Sequence, residues 1–193
     1  MSTTGKFILI LGPSGSGKGT VLSYLKKKHP EFIFPISCTT RSKRPNEADG
    51  EVYNFINKEF FEKKKDEGDF LEWALVHNKH YYGTLKKPIL DAMQQGKTVI
   101  REVDVQGLQS IRKIISENQL ISIFLTVKNW ETLKERILER SPMSEEELAR
   151  RKKSFKLEMA WQRECDYVVE SVTGKVDEVC RSIENIILSQ VGV

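Results

Sequence analysis

The chain is poor in the residues that staple small secreted folds or build metal centres. Of its 193 residues three are cysteines, Cys38, Cys165 and Cys180, far apart in sequence and without any C-x-x-C pair. This argues against a disulfide framework or a zinc site and fits reduced thiols in a cytoplasmic protein. No apolar run approaches the roughly 20 residues that span a bilayer. The opening MSTTGKFILILG has too short an apolar stretch for a signal peptide, so no membrane partner is expected. Neither charge sign dominates: 31 Lys+Arg against 27 Asp+Glu leave a net charge of +4. That excess is no nucleic-acid footprint, although converging arginines would suit a small anionic ligand. Internal repeats, low-complexity tracts and evident linkers are absent too.

What the chain does have is an alternation of apolar runs and helical periodicities. Phe7 to Leu11 reads as a buried parallel strand, and Val21, Leu22 and Leu25 as the helix after it, with Lys26 to Lys28 at its C-terminal end. Glu59 to Glu67 reads as a helix ending at Gly68, Asp69 to Val76 as a strand, and Pro88 to Gln95 as a helix closed by Gly96. Thr98 to Asp104, Leu120 to Val127 and Asp166 to Val169 are three further core strands. Helices follow at Trp130 to Arg140, from the capping box at Ser144 and Glu147 toward Ala160, and through the amphipathic pattern Val176, Val179, Ile183, Ile187. Together these predict an α/β fold, a parallel sheet flanked by helices. The polar, turn-rich block between the first two core strands reads as an inserted subdomain.

The first turn is GPSGSGKGT, Gly12 to Thr20. A strand before it and a helix after it are the setting of a phosphate-binding loop, whose backbone N–H groups cradle phosphates at a helix N-terminus. The pattern G-x-x-x-x-G-K-[ST] is met by Gly12, Gly17 and Lys18, with Pro13, Ser14, Gly15 and Ser16 between them. Gly19 occupies the Ser/Thr slot, and the hydroxyl arrives one residue late, at Thr20. A glycine-rich turn is the plain alternative, which four glycines around a lone lysine argue against. The G-K-G-T form resembles nucleoside monophosphate kinases, in which Mg²⁺ is held largely by phosphates and water.

A second basic stretch runs from Ser37 to Arg44. Arg41 and Arg44, three residues apart, can grip another phosphate through bidentate hydrogen bonds. On its own such a run is a solvated turn. Here it stands in TTRSKR, followed by Glu47, Gly50, Tyr53 and Phe55 in the frame E-x-x-G-x-x-Y-x-F. Then come FLEW (Phe70 to Trp73), YYGT (Tyr81 to Thr84) and VDVQG (Val103 to Gly107). With these blocks in order, from Phe7 to about Val169, the sequence resembles the guanylate kinase family.

The resemblance implies a P-loop NTPase-like fold of one domain. Its core would comprise residues 1–35, 96–135 and 160–193, with a GMP-binding subdomain at 36–95 and a helical lid at 136–159. ATP would be the donor, bound by residues 12–20 and Arg136, with GMP, and dGMP as well, the acceptor. The family pattern assigns the GMP phosphate to Arg41, Arg44, Tyr53 and Tyr82, and guanine to Ser37, Glu72, Thr84 and Asp104. A carboxylate suits guanine because N1–H and N2–H₂ are adjacent donors, whereas adenine presents a lone pair at N1. Lys18, Arg41, Arg44, Arg140 and Arg151 would neutralise charge on the transferring group. Thr20 and Glu102 are candidates to meet Mg²⁺, directly or through water.

Several positions depart from the family pattern. Glu102 stands where Asp is usual. Arg101 replaces an apolar residue and has no explanation in the sequence; the plain reading is a side chain facing outward at a sheet edge. Glu102 and Asp104, two apart, are expected to be buried acids on one strand face. Glu170 to Gly174 replaces an apolar residue and Asn-Asp, so no adenine contacts are assigned there. Pro142 interrupts the lid loop. His77 and His80 read as surface residues. A catalytically inactive relative that binds phosphopeptides in the same basin is the alternative function. Monomer and homodimer both remain open.

Overall fold

The computed structural model describes residues 5–51, 53–76 and 79–192; His77 lies outside them. β1 (Phe7–Leu11) is buried along its whole length. Successive strand side chains point to opposite faces, so five apolar residues in a row need cover on both sides. Phe7, Leu9 and Leu11 pack with Ile89 and Met93 of α3 (Lys86–Gln94) and with Leu108 and Ile111 of α4 (Val105–Arg112). Ile8 and Ile10 pack on the other face with Val21 and Leu25 of α1 (Lys18–Lys28) and Val179, Ile183 and Ile187 of α7 (Val176–Val191). Each fully buried side chain of this size stabilises the fold by about 1.5–3 kcal/mol.

The sheet runs β6-β1-β7-β8, all parallel, with β6 at Val99–Glu102, β7 at Leu120–Thr126 and β8 at Tyr167–Glu170. This is the expected helix–sheet–helix α/β sandwich. The one buried polar residue in β7, Ser122, is satisfied by Asp166, which accepts from its backbone N–H at 2.7 Å and its hydroxyl at 2.6 Å.

A second, mixed sheet has the order β3-β2-β5-β4, with β2 at Ser37–Thr39, β3 at Tyr53–Phe55, β4 at Phe70–Val76 and β5 at His80–Leu85. It is covered by α2 (Lys58–Asp66), whose one buried residue, Phe61, stacks on Phe70 and Tyr81 with ring centroids 4.2 and 5.0 Å apart. β2, β3, β5 and α4 are not announced by local sequence pattern. Strands of three residues carry no periodicity, and Gly107 interrupts the helical pattern of α4. A third cluster joins Trp130, Leu133 and Ile137 of α5 (Trp130–Arg140) to Met143 and to Leu148 and Phe155 of α6 (Glu145–Ala160). Ser144 caps α6 by accepting from the Glu147 N–H. The reciprocal half of the capping box does not form, because the Glu147 carboxylate pairs with Arg150 and Arg151 instead.

α7 carries one carboxylate on its buried face, Glu184, only 4% exposed. It accepts from the Tyr24 hydroxyl at 2.7 Å and Lys28 at 3.0 Å, and lies 2.6 Å from His29 Nε2. Burial alone would raise its pKa, but the bonds to His29, Tyr24 and Lys28 outweigh burial and bring it down to about 2. His29 is shifted up: burial opposes the shift, and Glu184 and Glu31 overcome it. A depressed carboxylate stabilises above its unfolded pKa, and a raised imidazole below its own. The network is therefore at full strength between about pH 4.5 and 6.5; the Glu184 part fades as pH falls toward about 2, and the His29 part as pH rises through its folded value. Glu184→Gln should cost about 2–4 kcal/mol in denaturant titrations at pH 6 and flatten both limbs of the profile. An unchanged profile would show that the network does not hold α7 to α1.

Candidate active site

β1 delivers the chain into the glycine-rich loop, and α1 starts at Lys18 without the usual aids. Its N-cap, Gly17, has no side chain to cap with, and the first turn holds no acid. The N-termini of α2, α4, α5 and α6 are capped by Asn57, Asp104, Asn129 and Ser144, whereas α3 and α7, like α1, have no side-chain cap. At α1 the uncapped N–H groups follow a glycine-rich loop and open on a cleft beside Lys18, which suits an external anion. Gly12 has φ +137°, and a Cβ there would sit 2.3 Å from the Leu125 carbonyl oxygen, so no other residue fits. Gly19 lies inside α1, and a Cβ there would meet nothing within 4 Å. Lys18 Nζ donates to the Gly12 and Pro13 carbonyls at 2.7 and 3.3 Å. Burial lowers its pKa, partly offset by Glu102 and Glu158.

The second sheet sets a polar row against this loop. Tyr53 pairs with Ser37 across β3 and β2, and Glu72 with Thr84 across β4 and β5. One step from the Cys38–Gly83 pair, Ser37 falls beside Thr84. The row is thus Tyr53, Ser37, Thr84, Glu72, and the fully buried Thr84 donates its hydroxyl to Glu72 Oε1 at 2.8 Å. Tyr82, two residues back on the same face as Thr84, meets Tyr53 edge-on at 5.5 Å. Arg41 lies over the Tyr53 and Phe55 rings and is held by both Glu47 oxygens at 2.8 and 2.9 Å. Glu47 also accepts from the backbone N–H of Arg44, whose side chain is exposed.

Loop and row meet in one cavity of about 340 Å³, lined by Gly12, Ser14 and Lys18 on one side and Glu72, Arg101, Glu102, Asp104 and Glu158 on the other. Two more clefts adjoin the loop. One of about 780 Å³ runs past Lys18, Gly19, Thr20 and Glu102. A more apolar one of about 250 Å³ lies between Gly17, Thr20 and Val21 and the segment Ser171 to Gly174. Arg136 closes that cleft, donating to the Ser171 carbonyl at 2.7 Å and to the Ser171 and Thr173 hydroxyls at 2.9 Å. Arg151 reaches from α6 to the Ser14 hydroxyl at 3.2 Å. Arg140 ends α5; its side chain lies outside the described residues. Among the described residues no group of three or more His, Cys, Asp or Glu side chains is arranged to hold a metal.

Three expectations need correction. Arg101 does not face outward. β6 ends the sheet order, with Ile33 bridging its outer side, but residues of the second sheet meet the Arg101 side chain: Nη2 donates to Glu72 Oε1 at 2.7 Å and to Ser37 Oγ at 3.1 Å. Glu102 and Asp104 do not share a strand face, since β6 stops at Glu102 and Asp104 caps α4 by accepting from the Gly107 N–H at 2.7 Å. Neither acid is buried, because both stand in the open mouth of the cavity, where water pays their solvation. Two further polar residues belong to the site. Glu47 holds Arg41, and Glu158 faces Lys18 with its pKa raised by burial. Both stand among ordinary surface charges in sequence, so only the Glu47 frame hinted at either.

A phosphate loop on a parallel sheet, facing a carboxylate-bearing second sheet across one cavity, defines a P-loop protein with two adjoining ligand half-sites. The chain belongs to the guanylate kinase family: the family model described as Guanylate kinase matches residues 4–190. A guanylate kinase of Helicobacter pylori is 40% identical over 98% of this chain and 87% of its own length. One of Thermotoga maritima is 37% identical over 96% and 87% respectively. The crystal structure of guanylate kinase from Anaplasma phagocytophilum, 23% identical, matches the fold with a TM-score of 0.73 over 97% of this chain and 87% of that one.

The two loop glycines should separate cleanly on substitution. Gly12→Ala strains the backbone and strikes a carbonyl, so it should lower stability by about 2–4 kcal/mol. Gly19→Ala should leave the melting temperature within about 1 °C of wild type. Equal losses in thermal melts would refute this division of roles.

Proposed function

We propose that this chain transfers a phosphoryl group from ATP to GMP, giving ADP and GDP, and accepts dGMP as well. The observation that carries the proposal is the single cavity in which Lys18 and Gly12 meet Glu72 and Asp104. The relatives named guanylate kinase support it. Donor phosphates would take the α1 N–H groups and replace the loop carbonyls as partners of Lys18. The donor base would enter the apolar cleft beside Val21 and Val176, with Arg136 and Ser171 to Thr173 at its rim. Arg41, Arg44, Tyr53 and Tyr82 would hold the GMP phosphate. Ser37, Thr84, Glu72 and Asp104 would read its base.

The accepting group is a phosphate oxygen, already ionised, so no general base is needed. What remains is positioning and charge neutralisation, supplied by Lys18, Arg41, Arg44, Arg140 and Arg151. Thr20 and Glu102, which line one cleft with Lys18, fit Mg²⁺ as it is usually bound, by one or two protein oxygens with phosphates and water completing the shell. When bound, the ion supplies charge stabilisation to the donor phosphates. We place the activity in the cytoplasm, with residues 36–95 closing over GMP and 136–159 over ATP to exclude water. Among the described residues no helix is long and apolar enough to cross a membrane.

A coupled assay with ATP and each of GMP, dGMP, AMP, CMP and UMP tests this reading. GMP should exceed AMP by several orders of magnitude in kcat/KM, because adenine would leave Glu72 facing a lone pair. Lys18→Met should lower kcat by about 10²–10³-fold or more. Comparable rates with AMP and GMP, or full activity without Lys18, would overturn it. A phosphopeptide-binding module would show no turnover to lose.

A further inference from the structure

Arg101 is the residue of the acceptor half-site that no family pattern accounts for. It comes from β6 of the main sheet, opposite Leu9 of β1, yet its guanidinium ends in the second sheet's polar row. One nitrogen, Nη2, bonds to both Glu72 Oε1 and Ser37 Oγ. Glu72 Oε1 is thereby doubly engaged, by Arg101 and by Thr84, which turns its other oxygen over to a ligand. The arginine itself is under-used. Its Nε is sealed from solvent without a partner, and among the described residues its hydrogen bonds both leave from Nη2. The side chains of Arg101 and Glu72 are 14% and 18% exposed, and both line the cavity shared with Lys18.

A carboxylate bonded to a guanidinium presents an ordered edge: acceptors on the carboxylate, then donors on the guanidinium. Guanine presents the complement along its own edge, donors at N2 and N1 and then an acceptor at O6. Adenine inverts the last two positions. Arginine is also the commonest side-chain partner of the guanine 6-oxo group where proteins read DNA. We propose that Arg101 is a specificity-determining residue whose Nη1 donates to the 6-oxo oxygen of the acceptor purine, while the free Glu72 oxygen accepts from N1–H and N2–H₂. This deepens the GMP phosphorylation proposed above and rests on it. A residue that only held Glu72 in place would affect every guanine-like acceptor alike; one that touches O6 would not.

The discriminating probe is 6-thio-GMP, which keeps N1–H and N2–H₂ and replaces O6 with sulfur, a weaker hydrogen-bond acceptor. Wild type should prefer GMP to 6-thio-GMP by about 10–100-fold in kcat/KM, the range of one hydrogen bond to a charged group. In Arg101→Leu the GMP value should fall by a similar factor, mostly through KM, and the preference over 6-thio-GMP should shrink toward one. The preference for GMP over IMP, which lacks only the 2-amino group, should survive because Glu72 remains. Arg101→Lys, which restores a cation and a donor, should recover part of the 6-oxo preference, and thermal melts of both variants establish that they are folded. If wild type shows no 6-oxo preference, or if Arg101→Leu lowers both substrates equally and keeps their ratio, Arg101 does not read O6, although GMP phosphorylation stands. A wild type unable to phosphorylate GMP overturns both.

Discussion

Everything in the site depends on parallel strands ending on the same side of one sheet. β1 and β6 run in register from Phe7 with Val99 to Ile10 with Glu102. The phosphate loop therefore leaves β1 beside the point where Glu102 leaves β6. No specific attraction between these polar groups is needed to bring them together. The fully buried run of β1 fixes the strand centrally, helices cover both its faces, and loop and acid emerge at the edge where open α/β sheets place their ligands. Gly12 completes the arrangement, since Leu125 of neighbouring β7 lies too near for any side chain there.

That geometry concentrates charge. Lys18, Arg101, Glu72, Glu102, Asp104 and Glu158 line one cavity. A lysine buried this far would tend to lose its proton, and the acids around it oppose that loss. The compensation is incomplete by design of the chemistry: Lys18 leans on two backbone carbonyls, weaker partners than phosphate oxygens. Arg41 differs: its partner is the Glu47 carboxylate, itself an anion, which holds the guanidinium over the Tyr53 and Phe55 rings. At Lys18 the protein supplies only neutral partners, which an anion can better.

The parts legible in the sequence are those decided by local pattern. Leu120 to Thr126 and Trp130 to Arg140 announce themselves through continuous apolar residues and helical spacing, and the phosphate loop through glycine placement. The second sheet was hidden because β2 and β3 span three residues each and take their order from pairing across the chain. Its polar row became readable only through resemblance. Arg101 shows the limit most clearly. Its place on an edge strand was legible, but an edge looks exposed until a distant segment folds over it, and nothing near residue 101 encodes the arrival of Glu72 from 29 positions away. Asp104 failed for another reason: a spacing of two implies one strand face only while the strand continues, and this one stops to let the aspartate cap a helix.

The Arg101–Glu72 contact also constrains how the two sheets can move. Arg101 is anchored in the main sheet, whereas Glu72 and Ser37 belong to the second. A closing rotation must either break this contact or pivot close to it. Glu72 sits on β4, at one edge of the order β3-β2-β5-β4, and Tyr53 on β3 at the other. Three strand spacings of about 4.8 Å separate them, roughly 14 Å. A rotation around the Glu72 edge would leave the Arg101–Glu72 contact nearly unchanged while displacing the Tyr53 and Arg41 side most, because that side lies farthest from the pivot. Under the GMP reading proposed above, a pivot there would keep the base-facing row in place while the side proposed to hold the phosphate moves. The buried Thr84 and the doubly bonded Glu72 oxygen suit such a pivot, and the solvent-exposed Arg44 lies on the side away from it.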